Sequence, residues 1–107
     1  MKIYVVVGSY VDWEDAGHWN VRGFTDESRA REFRDRCQQI SRELSTQWQQ
    51  EQGALFSGKY PWSEEKNEVR RAFDAKWVRD GVHPLDPNWN RTYDPEYDVE
   101  ELEVDSV

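Results

Sequence analysis

One cysteine, one methionine and two histidines stand among 107 residues, and each scarcity closes off some chemistry. A lone Cys37 forbids an intramolecular disulfide and gives no sign of an oxidising compartment. A structural zinc site would need more sulfur or imidazole ligands than the chain has. Leu, Ile, Val and Phe together number only 21, near the fraction at which a strongly charged chain fails to fold. No apolar run approaches the roughly 20 residues that cross a bilayer, and the Val-rich start is too brief for a signal-peptide core with its cleavage site. Basic charge is thinnest where acid is densest: the net charge is −8, and residues 84–107 hold one basic and eight acidic groups. Such a chain repels phosphate backbones and anionic lipid, so direct binding to nucleic acid or membrane is disfavoured.

Aromatic residues make up for the missing aliphatics. Six Trp and five Tyr can each bury on the order of 150–250 Å², enough to expect one folded domain over residues 1–107. Ile3–Val7 is a continuous β-branched run, ended by Gly8-Ser9, that suits a central strand covered on both faces. Residues 11–17 read as a turn, and Trp19–Phe24 as a second strand in a wide antiparallel hairpin. Thr25-Asp26-Glu27 opens a helix. Ala30, Phe33, Cys37, Ile40, Leu44 and Trp48 then form one apolar stripe, and Gly53 is the expected stop. Ser63-Glu64-Glu65 opens a second helix lined by Val69, Ala72, Phe73 and Trp77, ending near Asp80-Gly81. Prolines between Pro84 and Pro95 forbid regular structure there. Tyr97–Val104 is a last strand whose parity breaks, so a β-bulge near Glu100-Glu101 would bring Tyr97, Val99, Leu102 and Val104 to one face. The expected fold is therefore α+β in the order β-β-α-α-β. It has two layers: a small antiparallel three-stranded sheet with the first strand central and the last at a free edge, covered by two helices.

The opening MKIYVVVGSY, the following HWNVRGFTDESRARE and the closing DPNWNRTYDPEYDVEELEV resemble a family of small uncharacterised proteins from bacteriophages and prophages. The resemblance spans roughly residues 1–45 and 86–104 and leaves out the second helix. It implies a phage origin and hence the cytoplasm of a bacterial host. It supplies no activity, cofactor or functional residue.

Most candidate chemistry has a plainer structural reading. Asp12, Glu14, Asp15 and His18 could converge on a divalent cation, but the spacing matches no EF-hand loop and a solvated hairpin tip is favoured. Cys37 and His83 could pair as nucleophile and base, but Cys37 lies on the apolar stripe and is expected to be inert. Neighbouring carboxylates such as Glu64-Glu65 and Glu100-Glu101 face opposite ways on regular elements, unlike a hydrolase pair. Arg29, Arg31, Arg34 and Arg36 are interleaved with Glu32 and Asp35, and an Arg31–Asp35 pair is expected on a solvated helix face. No enzyme activity, cofactor or metal is expected.

The acidic end is the strongest functional feature. Asp94, Glu96, Asp98, Glu100, Glu101, Glu103 and Asp105 fall within twelve residues. On a strand, alternate carboxylates line one face about 6.5–7 Å apart, comparable with successive phosphates on one nucleic-acid strand. Such a file could occupy a basic groove, and it could equally serve to keep an edge strand from aggregating. Trp89 and Trp13, in polar loops, are candidate interface anchors that could also fold back onto the sheet. Charge and resemblance together point to a non-enzymatic phage protein that inhibits a basic host protein through a DNA-mimic-like surface. A nucleic-acid-handling or CRISPR-type defence factor is the expected kind of target. The alternatives are a homo-oligomeric phage assembly protein and a small metal-dependent hydrolase built on the Asp12–His18 loop.

Overall fold

The computed structural model describes residues 1–11, 15–56, 64–79, 81–91 and 94–104. The elements run β1 (Lys2–Val11), β2 (Ala16–Phe24), α1 (Glu27–Phe56), α2 (Glu64–Val78) and β3 (Glu96–Glu103). The strands form one antiparallel sheet in the order β2-β1-β3, so the expected α+β class and the central place of β1 are both present. Val5, Val6, Val7 and Gly8 are buried in mid-strand, as a strand flanked on both edges should be.

Gly8-Ser9 does not end β1, which continues to Val11. The glycine serves a close approach instead. Gly8 is paired with Trp19 on β2 and with Tyr97 on β3, and a Cβ there would come within 2.7 Å of the Trp19 ring. Gly17 has the same relation to Tyr10, whose ring a Cβ would meet at 2.6 Å.

The β-bulge lies in β2 rather than in β3. Register between β1 and β3 is unbroken from Lys2↔Glu103 to Ser9↔Glu96, whereas the register against β2 shifts between Val6 and Val7. An extra residue reverses the alternation of a strand. Trp19 and Phe24, of opposite parity, therefore both reach the helix side of the sheet. On the unbulged β3, Tyr97 and Val99 join the core, but Leu102 turns to the opposite face and is 47% exposed.

Asp26 caps α1, its Oδ1 accepting the N–H groups of Ser28 at 2.8 Å and Arg29 at 3.3 Å, and so satisfying two donors that a helix start leaves free. Arg31 pairs back to Glu27 at 2.8 Å, and Arg34 takes Asp35 at 2.9 Å; the expected Arg31–Asp35 pair gives way to the acid in the first turn. The stripe falls as its spacing predicts: Ala30, Cys37 and Ser41 are buried, with Phe33, Ile40, Leu44 and Trp48 half-buried.

Gly53 does not stop the helix, which continues to Phe56. A single helical glycine costs only about 0.5–1 kcal/mol relative to alanine, and packing against α2 offsets it. The Trp48 and Phe73 rings lie 6.0 Å apart. Glu51 accepts from Lys76 Nζ at 2.6 Å and from Trp77 Nε1 at 2.9 Å. At 1.5 Å per residue the helix is about 45 Å long. Its first half lies on the sheet and its second half runs on beside α2, giving extents of 65 × 26 × 21 Å. Of the two helices expected to cover the sheet, α1 alone lies on it, while α2 packs against the half of α1 that projects beyond the sheet.

Two glycines separate the roles just described. Gly8→Ala is expected to lower the unfolding free energy by about 1–3 kcal/mol through overpacking. Gly53→Ala, whose Cβ meets nothing within 4 Å, should raise it by about 0.5–1 kcal/mol; urea titrations of both variants provide the check. A second expectation concerns acid. The Lys76 hydrogen bond, with Trp77 behind it, holds Glu51 below the ordinary carboxylate range. A depressed folded value contributes stability above the unfolded value and loses it as pH falls through the folded one. The difference in melting temperature between the wild type and Glu51→Gln should therefore shrink as the pH is lowered through the acid range.

Candidate functional site

Residues 81–91, between α2 and β3, hold no helix or strand, yet they carry the polar heart of the molecule. Gly81, at φ +80°, turns the chain in the left-handed region after α2. His83 and Asp86 are then both 1% exposed or less. Asp86 gathers three neutral donors: Trp19 Nε1 lies 3.1 Å from both carboxylate oxygens, Tyr97 Oη donates at 2.6 Å, and the Asn88 N–H at 3.0 Å. Gly8 makes this possible. With no side chain between them, Trp19 and Tyr97 reach across β1 from opposite edges of the sheet to one carboxylate.

His83 is fixed by its surroundings in one tautomer. Its Nδ1 accepts the N–H groups of Leu85 at 3.0 Å and Asp86 at 3.1 Å, so the proton sits on Nε2, which donates to the Cys37 carbonyl at 3.0 Å. The contact is to the backbone of Cys37, so the two residues do not meet as nucleophile and base. Burial, and secondarily the charge of Asp86, push the thiol up to about 11, the reverse of what an activated cysteine requires. The Tyr97 phenol is also pushed up, first by burial and then by its bond to Asp86.

Trp89 belongs to this network and is no surface anchor. It is 3% exposed, donates through Nε1 to Ser41 Oγ at 2.9 Å and lies 6.4 Å from Trp77, ring to ring. It folds inward because an indole buries more apolar area than any other side chain while needing a single acceptor, which α1 supplies. Trp13, Asp12, Glu14 and Asp105 lie outside the described residues. Of the remaining hairpin ligands, Asp15 is engaged by Tyr10 Oη at 3.0 Å and by the Ala16 N–H at 2.9 Å. His18 stands exposed on β2 opposite Ser9. Among the described residues no three His, Cys, Asp or Glu side chains are placed to share a metal ion, and no helix is long and apolar enough to cross a membrane.

The acidic strand divides by parity. Glu96, Asp98 and Glu100 are exposed and share the face turned away from α1. Asp98, 80% exposed, has Arg34 at the margin of ion-pair distance, 4.0 Å. Glu101 and Glu103, on the helix side, are matched by Lys2 at 3.1 Å and the chain's amino group at 3.4 Å. Asp94 belongs to neither set. Held at φ 45°, it accepts a hydrogen bond from Ser45 Oγ at 2.8 Å. The first part of the free edge of β3 is occupied: the Tyr97 N–H reaches Gln38 Oε1 at 3.0 Å and the Val99 N–H reaches Asp98 Oδ1 at 2.8 Å.

Sequence reasoning missed Asp86, Tyr97 and Trp19. The only available signal was Gly8 inside a valine run, a gap that asks for a neighbour to fill it. No protein-family model, no curated protein and no solved structure matches the chain.

Tyr97→Phe is expected to destabilise the fold by about 1.5–3 kcal/mol, the range for a hydrogen bond to a charged group, measurable by urea unfolding. Cys37 should resist a colourimetric thiol reagent in buffer and react at once in denaturant; rapid labelling of the native protein would contradict its burial.

Proposed function

We propose that this is a non-enzymatic binding protein of phage or prophage origin that inhibits a basic host protein, with Glu96, Asp98 and Glu100 as its leading contact residues. One observation carries the reading: these three carboxylates stand in a file on the face of the sheet turned away from α1, with one marginal cation beside them among the described residues, while Glu101 and Glu103 are matched by cations. A carboxylate file at about 6.5–7 Å spacing is complementary to a surface of Lys and Arg. A groove built to hold nucleic acid is such a surface, which makes a nucleic-acid-handling or CRISPR-type defence factor the favoured class of target. The inward commitment of Cys37, His83, Asp86 and Tyr97 also favours binding over catalysis, since the last three are hydrogen-bonded within the core and the Cys37 thiol is buried.

Interfaces of this kind gain mainly association rate and specificity from charge, and they weaken with salt. The tagged protein should therefore retain a host protein from nuclease-treated bacterial lysate at low salt and release it at high salt. Replacing Glu96, Asp98 and Glu100 together by Lys should abolish retention while leaving the circular dichroism spectrum unchanged. Undiminished retention by that variant would remove the file from the reading.

A further inference from the structure

The sheet has two unlike faces. α1 and residues 82–91 cover one, through Val6, Tyr97 and Val99. The other carries no helix among the described residues. Its central residues, Val5 and Val7, are buried, with Gly23 and Glu100 in register beside Val5, and Asn20 and Asp98 beside Val7. One end of this face is not buried. Leu102, in register with half-buried Ile3, is 47% exposed; just beyond the strand, Val104, whose N–H bonds the Met1 carbonyl, is 37% exposed, and Met1 itself 64%. The apolar end leads directly into the carboxylate file, because Glu96, Asp98, Glu100 and Leu102 share one parity of an unbulged strand.

From this we infer that the open face seats a basic amphipathic helix of the partner protein, an inference that rests on the binding function proposed above. The occupant follows from complementarity. Leu102, Val104 and Ile3 need an apolar side, and the file needs cations beside it. Helix positions i, i+4 and i+8 are spaced about 6 Å apart along the axis, near the ~6.5–7 Å separation of alternate strand residues, so one flank of Lys or Arg can face all three carboxylates. An extended segment added to β3 is disfavoured, because Gln38 and Asp98 occupy the Tyr97 and Val99 N–H groups. A second copy is disfavoured by a net charge of −8. A docked helix would give the sheet the second covering layer it lacks.

The test uses the full chain, isotope-labelled, and two synthetic peptides of equal composition. In one, leucines form a single helical face flanked by lysines at i, i+4 and i+8; in the other the same residues are scrambled. The amphipathic peptide is expected to shift the amides of Ile3, Leu102 and residues 96–100, and Leu102→Ser should weaken it about tenfold, as loss of one buried leucine does. Val104→Ser, as a second variant at an exposed position, should weaken it in the same direction. Equal binding of the scrambled peptide, or unchanged binding by both serine variants, would overturn the helix seat and leave the acidic reading intact. Absence of binding by either peptide also overturns it, the acidic reading then being decided by the lysate experiment. Concentration-dependent self-association with shifts at the same amides would assign the face to a second copy and overturn the proposal.

Discussion

The Asp86 carboxylate holds the outer strands together across the inner one. A buried ionised group costs several kcal/mol unless its hydrogen bonds are replaced. Here the replacements come from three places in the chain: an indole on β2, a phenol on β3 and a backbone N–H of its own loop. Charge-assisted bonds of this kind are shorter and stronger than neutral ones, and the Tyr97 contact at 2.6 Å has the expected length. The same loop is pinned to α1 twice more, by His83 on the Cys37 carbonyl and by Trp89 on Ser41. A segment without helix or strand thereby connects every layer of the molecule.

This arrangement explains how a chain poor in aliphatic residues closes a core. Aromatic rings supply area, and their polar tips are satisfied inside by a few acceptors: Asp86, Ser41 and, farther along α1, Glu51. The cost is that each acceptor must be placed accurately, since a buried polar atom without its partner is worse than none. The core polarity also leaves the surface free to be acidic. Carboxylates on the helix side of β3 are compensated by Lys2 and the amino terminus, whereas on the other side Asp98 alone has a cation near, at 4.0 Å, among the described residues.

Much of the architecture was legible because it rests on local patterns. The α1 stripe, its Asp26 cap, the Val-rich central strand and the acidic last strand follow from spacing and residue type. The failures share a cause, which is that a tertiary neighbour decided the outcome. Gly8 and Gly53 read as punctuation, but a ring fills the space over one, and the helix runs through the other because its neighbours Trp48 and Glu51 pack on α2. The broken parity of residues 97–104 invited a bulge, whereas the fold exposes Leu102 and bulges β2 instead. A proline-bounded stretch containing His83, Asp86 and Trp89 looks like a solvated loop, because nothing local shows that Trp19 and Tyr97 await its carboxylate. Of the candidate surface, the alternating file of Glu96, Asp98 and Glu100 was visible in the sequence, and the inward turn of Trp89 was not.

The pairing of β1 with both β2 and β3 has a consequence for how the chain reaches this state. Tyr4 finds Phe24 within a hairpin, but Lys2 must find Glu103 across nearly the whole chain. Closing so long a loop is entropically slow, and folding rates fall as such distant pairings dominate. The hairpin and α1 can form early, leaving one edge of β1 with bare amides and carbonyls until β3 arrives. During that interval the Val5–Val7 segment is an unprotected edge of the kind that recruits foreign strands. The acid of β3 bears on that step, since Glu101 and Glu103 face Lys2 and the amino group at the end of the ladder where the two strands must meet.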